Sequence, residues 1–269
     1  MNPLLQKFNT KYNSAPFNEI KEEHYLPAFK ELIEFSKKEI EKIANNIEEA
    51  TFSNTIEALA YSGEQLDIVS NIFFNLNSAE TNDEIQKIAQ EVSPLLSEYS
   101  SQISQNEELF ARIKKVFDEK EKYTLNEEQQ MLLNETYKGF VRNGALLNDE
   151  DKKKLEKINM DLSLKSLQFG QNVLAETNNY FKHVTDKKEL AGIPEAILAQ
   201  YAEEAKESNL EGYVVTLQYP SYIPLMTYAE NRELRKELAL ESGKKAFKNN
   251  EFDNQNLIKE IVKLRQEKA

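Results

Sequence analysis

The stretch NTIEALAYSGEQLDIVSNIFFNL, residues 54–76, decides the fold class. Ile56, Leu59, Ala60, Gly63, Leu66, Val69, Ile72, Phe73 and Leu76 recur at the spacing of one helix face, and Asn54 with Glu57 three residues later has the layout of a capping box. A helix with one such stripe must cover it with other elements, so the segment predicts a helical bundle. Working outward toward the N-terminus, a helix is expected over about Lys21–Glu49, with Pro27 near its start, where a missing amide costs least. Toward the C-terminus, Thr81 with Glu84 repeats the capping signal ahead of a second stripe from Ile85 to Ile103, bent at Pro94. NEELFARIKKVFDEK reads as a shorter helix. Thr124 and Glu127 open another that Gly144 can close, and Asn148 caps a long one over about Asp149–Asn178.

The pattern changes at TNNYFKHVTD, where Tyr180, Phe181 and Val184 form a short β-prone run. Pro194 starts a helix, and after Gly212 the run YVVTLQYP offers β-branched and aromatic residues ended by Pro220. The two runs can pair. Ser221 then caps a helix through SYIPLMTYAENRELRKELALESGKKAF, and the final helix carries Leu257, Ile258, Ile261, Val262 and Leu264 without a Gly, Asn or Pro terminator after it. The expected fold is therefore mainly α: an antiparallel helical bundle or shell with one small two-stranded β element at about 180–184 and 213–218. The domain expectation is an N-terminal helical bundle over 1–122 and a helical region with the β element over 123–269. Only 7 Gly and 7 Pro in 269 residues agree with long helices.

Composition limits function. With 34 basic against 46 acidic residues the net charge is -12, which disfavours nucleic acid and anionic membranes as partners. The absence of cysteine excludes disulfides, thiolate zinc fingers and thiol catalysis. No apolar run reaches membrane-spanning length and MNPLLQKFNTKY lacks a signal-peptide core, so the expected location is the cytoplasm.

The residues also argue against a catalytic centre within the chain. Its two histidines, His24 and His183, lie far apart, and no H-E-x-x-H places two imidazoles on one helix face. Glu22-Glu23-His24 reads as a helix start among solvated acids rather than a ligand set, because adjacent helix positions diverge. Phosphate-cradling glycine strings and a G-x-S-x-G elbow are missing. Acid runs such as Asp149-Glu150-Asp151 complement a helix dipole. No catalytic, cofactor or metal residue is assigned. Phe73 and Phe74, or Tyr219, Tyr222 and Tyr228, could line a groove, although aromatics at helical spacing are more often core. YPSYIPLMTYAENR is the first place to look for a ligand surface.

In order along the chain, PFNEIKEEHYLPAF (16–29), NTIEAL (54–59), FFNLNSAETNDEIQ (73–86), ELFARI (108–113), FVRNGALL (140–147), PLMTYAENRELRKEL (224–238) and LRQEKA (264–269) resemble the thimet-oligopeptidase-like zinc metallopeptidases, especially the bacterial peptidyl-dipeptidases or dipeptidyl carboxypeptidases. The resemblance covers essentially the whole chain. It implies an all-helical shell around a deep channel in which a zinc-bound water hydrolyses short peptides and releases C-terminal dipeptides. The family's ligands come from an H-E-x-x-H helix and a downstream glutamate, with the motif's own glutamate as general base, none of which has a counterpart here. The expectation is thus an N-terminal noncatalytic fragment of such a peptidase, inactive alone. Zinc and short peptides belong to the full-length parent, no cofactor is expected in this chain, and its partner is the missing C-terminal catalytic domain. Two other readings remain: a self-sufficient helical scaffold that binds peptide or protein without cutting it, and an unusual metal site built from His24, His183 and nearby acids.

Overall fold

The computed structural model describes residues 2–269. The helices are α1 (Tyr25–Ala44), α2 (Ala58–Tyr61), α3 (Glu64–Ala79), α4 (Asp83–Ser104), α5 (Glu107–Asp118), α6 (Glu127–Arg142), α7 (Asp149–Asn179), α8 (Glu195–Glu207), α9 (Tyr219–Tyr228), α10 (Arg232–Gly243) and α11 (Gln255–Lys268). Strands β1 (Phe181–Val184) and β2 (Tyr213–Thr216) pair antiparallel, with Phe181 opposite Thr216 and Val184 opposite Tyr213. The mainly helical class and, among the described residues, the one two-stranded sheet agree with the sequence reading.

Contacts group the chain into two units: the described residues up to Leu164 together with Leu264–Ala269, and Lys165–Lys263. In the first, α1 packs on α3, α4 and α5. Tyr25 and Phe29 of α1 meet Phe73 of α3 at ring-centroid distances of 4.9 and 5.5 Å, the second pair edge to face. A further cluster joins Ile40 and Ile43 to Phe52 and Ile56, to Leu109, Ile113 and Val116 of α5, and to Leu133 and Phe140 of α6. The second unit encloses Val184, Leu190, Leu198, Tyr201, Val215, Leu225, Leu234 and Leu238 between the sheet and α8, α9 and α10.

Several boundaries depart from expectation. The stripe over 54–76 does place Ile56, Gly63, Leu66, Val69 and Phe73 inside, but not in one helix. Phe52–Glu57 is a π-helical turn whose cap is Thr51, not Asn54: Thr51 Oγ1 accepts the Asn54 N–H at 3.1 Å, and Asn54 Oδ1 accepts the Thr51 N–H at 2.8 Å. The chain then breaks at Gly63, whose φ of 75° is left-handed and whose N–H donates to Glu39 Oε2 at 2.9 Å. α1 stops at Ala44 rather than Glu49, because the following loop carbonyls are claimed by a side chain of another helix: Arg112 Nη1 donates to Asn46 O at 2.7 Å and to Glu48 O at 2.9 Å. The caps expected at Thr81 and Thr124 are Asn82 and Asn126, while Asn148 caps α7 as expected, accepting the Asp151 N–H at 3.0 Å. The helix expected from Ser221 to Phe247 starts at Tyr219 and divides at Ala229–Asn231, where the Glu230 N–H donates to Ala191 O at 2.8 Å and Asn231 caps α10.

The start of the terminal helix has partners within the second unit. Asn254, 1% exposed, accepts from Asn172 Nδ2 at 2.8 Å and donates to Phe169 O at 3.1 Å, and Lys165 pairs with Glu260. Ile261 is the buried residue of this helix, whereas Ile258 and Val262 remain exposed. No helix among the described residues is long and apolar enough to cross a membrane.

Candidate functional site

The titratable residues singled out from sequence serve local structure. His24 Nδ1 accepts the Lys21 N–H at 3.0 Å and closes the turn before α1, and Glu22 Oε1 accepts from Asn82 Nδ2 at 2.6 Å. His183 lies in the other unit, its Nε2 2.6 Å from the Glu211 carbonyl oxygen. Among the described residues no three His, Cys, Asp or Glu side chains form a group able to hold a metal ion. Asp151 is held below the usual aspartate range by its hydrogen bonds to Lys154 and Asn148.

Of the aromatics, Phe73 is fully buried and belongs to the core, with Phe74 packed edge-on at 5.1 Å. The segment over 219–232 is different. Its backbone is anchored from below: the Tyr201 hydroxyl donates to Ser221 O at 2.7 Å, Ser221 Oγ accepts the Thr216 N–H at 2.9 Å, and Leu225 is fully buried. Burial pushes the Tyr201 phenol up to about 12. Above this base α9 leaves Tyr219 at 76% and Tyr228 at 51% exposure, with Ile223 also exposed. The result is a fixed helix with an exposed tyrosine at each end, Tyr219 and Tyr228, without a nucleophile, base or ligand set.

Sequence reasoning missed a cleft of about 750 Å³ inside the first unit. Val141 from the end of α6, Leu147 from the connecting turn, Leu155 and Ile158 from α7 and Leu264 give it apolar walls. The turn is narrow because Gly144 adopts a φ of 95°, and a Cβ there would fall 2.6 Å from Leu155 Cδ2. Arg142, Lys154, Lys157 and Lys268 stand around it with Asp151, Asp161 and Glu267, so its charges nearly balance. Leu147 is 40% exposed, and the next turns of α7 leave Ile158, Met160, Leu162 and Leu164 short of burial. Such a cleft offers no chemistry, only an apolar seat with a mixed-charge rim. Its local signal was FVRNGALL, where two leucines follow a turn glycine.

Residues 29–152 match the family described as Neurolysin/Thimet oligopeptidase, N-terminal domain. The chain is 34% identical over 270 residues to Dipeptidyl carboxypeptidase of Escherichia coli (strain K12), covering 100% of this chain and 40% of that protein. It is 33% identical over 275 residues to Oligopeptidase A of the same organism, covering 100% of this chain and 39% of the relative, and 29% identical over 275 residues to Probable cytosolic oligopeptidase A of Arabidopsis thaliana, at 100% and 38%. The chain thus spans about two fifths of the length of the curated relatives it matches.

Proposed function

We propose that this chain, which matches the Neurolysin/Thimet oligopeptidase N-terminal domain over residues 29–152 and a dipeptidyl carboxypeptidase along its whole length, is the noncatalytic helical part of a zinc-dependent peptidyl-dipeptidase. It would form one wall of a channel that admits short or unfolded peptides, in a protein that releases C-terminal dipeptides in the cytoplasm. The observation that carries this reading is the match along the entire chain to a dipeptidyl carboxypeptidase about two and a half times as long. Zinc does not fit the residues present: among the described residues no three His, Cys, Asp or Glu side chains form a group able to hold it, and His24 spends its Nδ1 lone pair on the Lys21 N–H. No step is therefore assigned to the metal here, and the ligands belong to polypeptide outside this sequence. The third reading of the sequence, a metal site on His24 and His183, has no support.

The test joins this chain to the portion of the Escherichia coli dipeptidyl carboxypeptidase that it does not span. Dipeptide release from a short blocked peptide is expected from the joined, zinc-loaded protein and not from the chain alone. Cleavage by the chain alone, or a folded joined protein without activity, would overturn the proposal. The second reading, a peptide-binding scaffold that does not cut, is favoured by the exposed Tyr219 and Tyr228 of α9. Titration of the chain with short peptides tests it, and loss of binding in Tyr219→Ala would assign the surface.

A further inference from the structure

Apolar side chains spread around a helix mark one that other elements cover on more than one side. α7 has this character just after it enters the cleft: Ile158 and Leu162 fall on one side of the helix, Met160 and Leu164 on another, and none of the four is buried within this chain. The cleft beside them has apolar walls at Val141, Leu147, Leu155, Ile158 and Leu264. Three occupants are conceivable for such a surface: a free peptide, a second copy, or further polypeptide of the same family member.

A second copy is opposed by charge, since each chain carries -12 and two copies repel at long range. A free peptide bound by its terminus needs a dominant charge of one sign, whereas the rim sets Arg142, Lys154, Lys157 and Lys268 against Asp151, Asp161 and Glu267, with Lys154 already paired to Glu150 and Asp151. A mixed rim around an apolar floor is the composition of a protein–protein contact. The relatives point to the occupant: they match this chain from end to end and carry about three fifths of their length besides, further polypeptide that is available to cover a face of the matched part.

We propose that the cleft at the α6–α7 turn is the seat of an apolar segment from the peptidase portion of the protein. The inference rests on the function proposed above and deepens it by naming the contact face. Seating a segment there covers Leu147 and Ile158 together, brings the mixed rim against opposite charges, and holds α7 from the side its own neighbours leave open.

The absence of native cysteine makes the surface readable by thiol labelling. Leu147→Cys places a probe in the cleft, and Ile47→Cys places a control on a fully exposed loop residue elsewhere in the same unit. Both are compared in the chain alone and in the joined protein, with labelling located by peptide mass spectrometry. Alkylation at residue 147 should slow by about tenfold or more in the joined protein while residue 47 reacts equally in both. Equal rates at residue 147 in a joined protein that releases dipeptides would overturn this inference and leave the proposed function standing. Slow labelling at 147 in a joined protein without activity would do the reverse. Protection that appears in the chain alone and grows with its concentration would overturn it in favour of a second copy.

Discussion

Arg112 connects three parts of the first unit with one guanidinium. Besides the carbonyls of Asn46 and Glu48, Nη2 donates to Asn54 Oδ1 at 3.0 Å and to Thr55 Oγ1 at 3.3 Å, so α5 holds both the loop after α1 and the π-helical turn. A lysine cannot reproduce that planar fork. Arg112→Lys should lower unfolding free energy by about 2 kcal/mol, the scale of charge-assisted hydrogen bonds lost from partly buried acceptors, measured by urea denaturation. Tyr201 plays the matching role in the second unit, and Tyr201→Phe should cost about 1–2 kcal/mol by stranding Ser221 O. It also gives a pH signature. Burial raises the phenol from 10.0 to about 12, so the folded state holds the proton more tightly than the unfolded chain. That contribution is complete below pH 10 and is lost as pH rises toward about 12, by linkage. The stability difference between the native chain and Tyr201→Phe should therefore shrink over this window; a constant difference would show that the phenol's environment is not the one described.

At the level of elements, the amphipathic stripes were legible and the joints were not. Gly63 and Leu66 keep the inward period across the break between α2 and α3, so the apolar pattern contains no sign that the helix has been interrupted. The division of α9 from α10 is equally silent, because it depends on a hydrogen bond from Glu230 to Ala191, a residue far away in sequence. Cap positions missed where polar residues lie close together: Thr81 and Asn82 are both competent, and in the fold it is Asn82 Oδ1 that accepts the Ile85 N–H at 3.0 Å. The cleft was illegible for a related reason, since Val141 and Leu264 meet only after folding. One joint is testable directly. Gly192 has a φ of 90°, and a Cβ there would lie 2.2 Å from Tyr228 O. Gly192→Ala should cost about 2 kcal/mol or more from the left-handed backbone and the displaced α9 end. Asn254→Asp removes the donor to Phe169 O and buries a carboxylate, and should selectively speed hydrogen exchange in α11.

At the scale of the whole molecule, the cluster around Ile56 and Ile113 and the cluster around Tyr201 and Leu225 share no residue. Arg112→Lys should accordingly reduce hydrogen-exchange protection in α1 and α5, while Tyr201→Phe reduces it in β2, α8 and α9; each leaving the other cluster unchanged is the expectation for independent sites. The function read from sequence rests on the order of many short strings rather than on any reactive residue, and the ring nitrogens of His24 and His183 engage backbone groups of Lys21 and Glu211. The second unit also has a property of connectivity. It begins at Lys165 in the middle of α7 and ends at Lys263 near the end of α11, and Lys165 pairs with Glu260, so its entry and exit lie side by side. A segment with adjacent ends is a natural cassette. It could be excised and its stumps bridged by a short linker, or exchanged with the corresponding segment of a relative, without asking the remaining chain to span a gap.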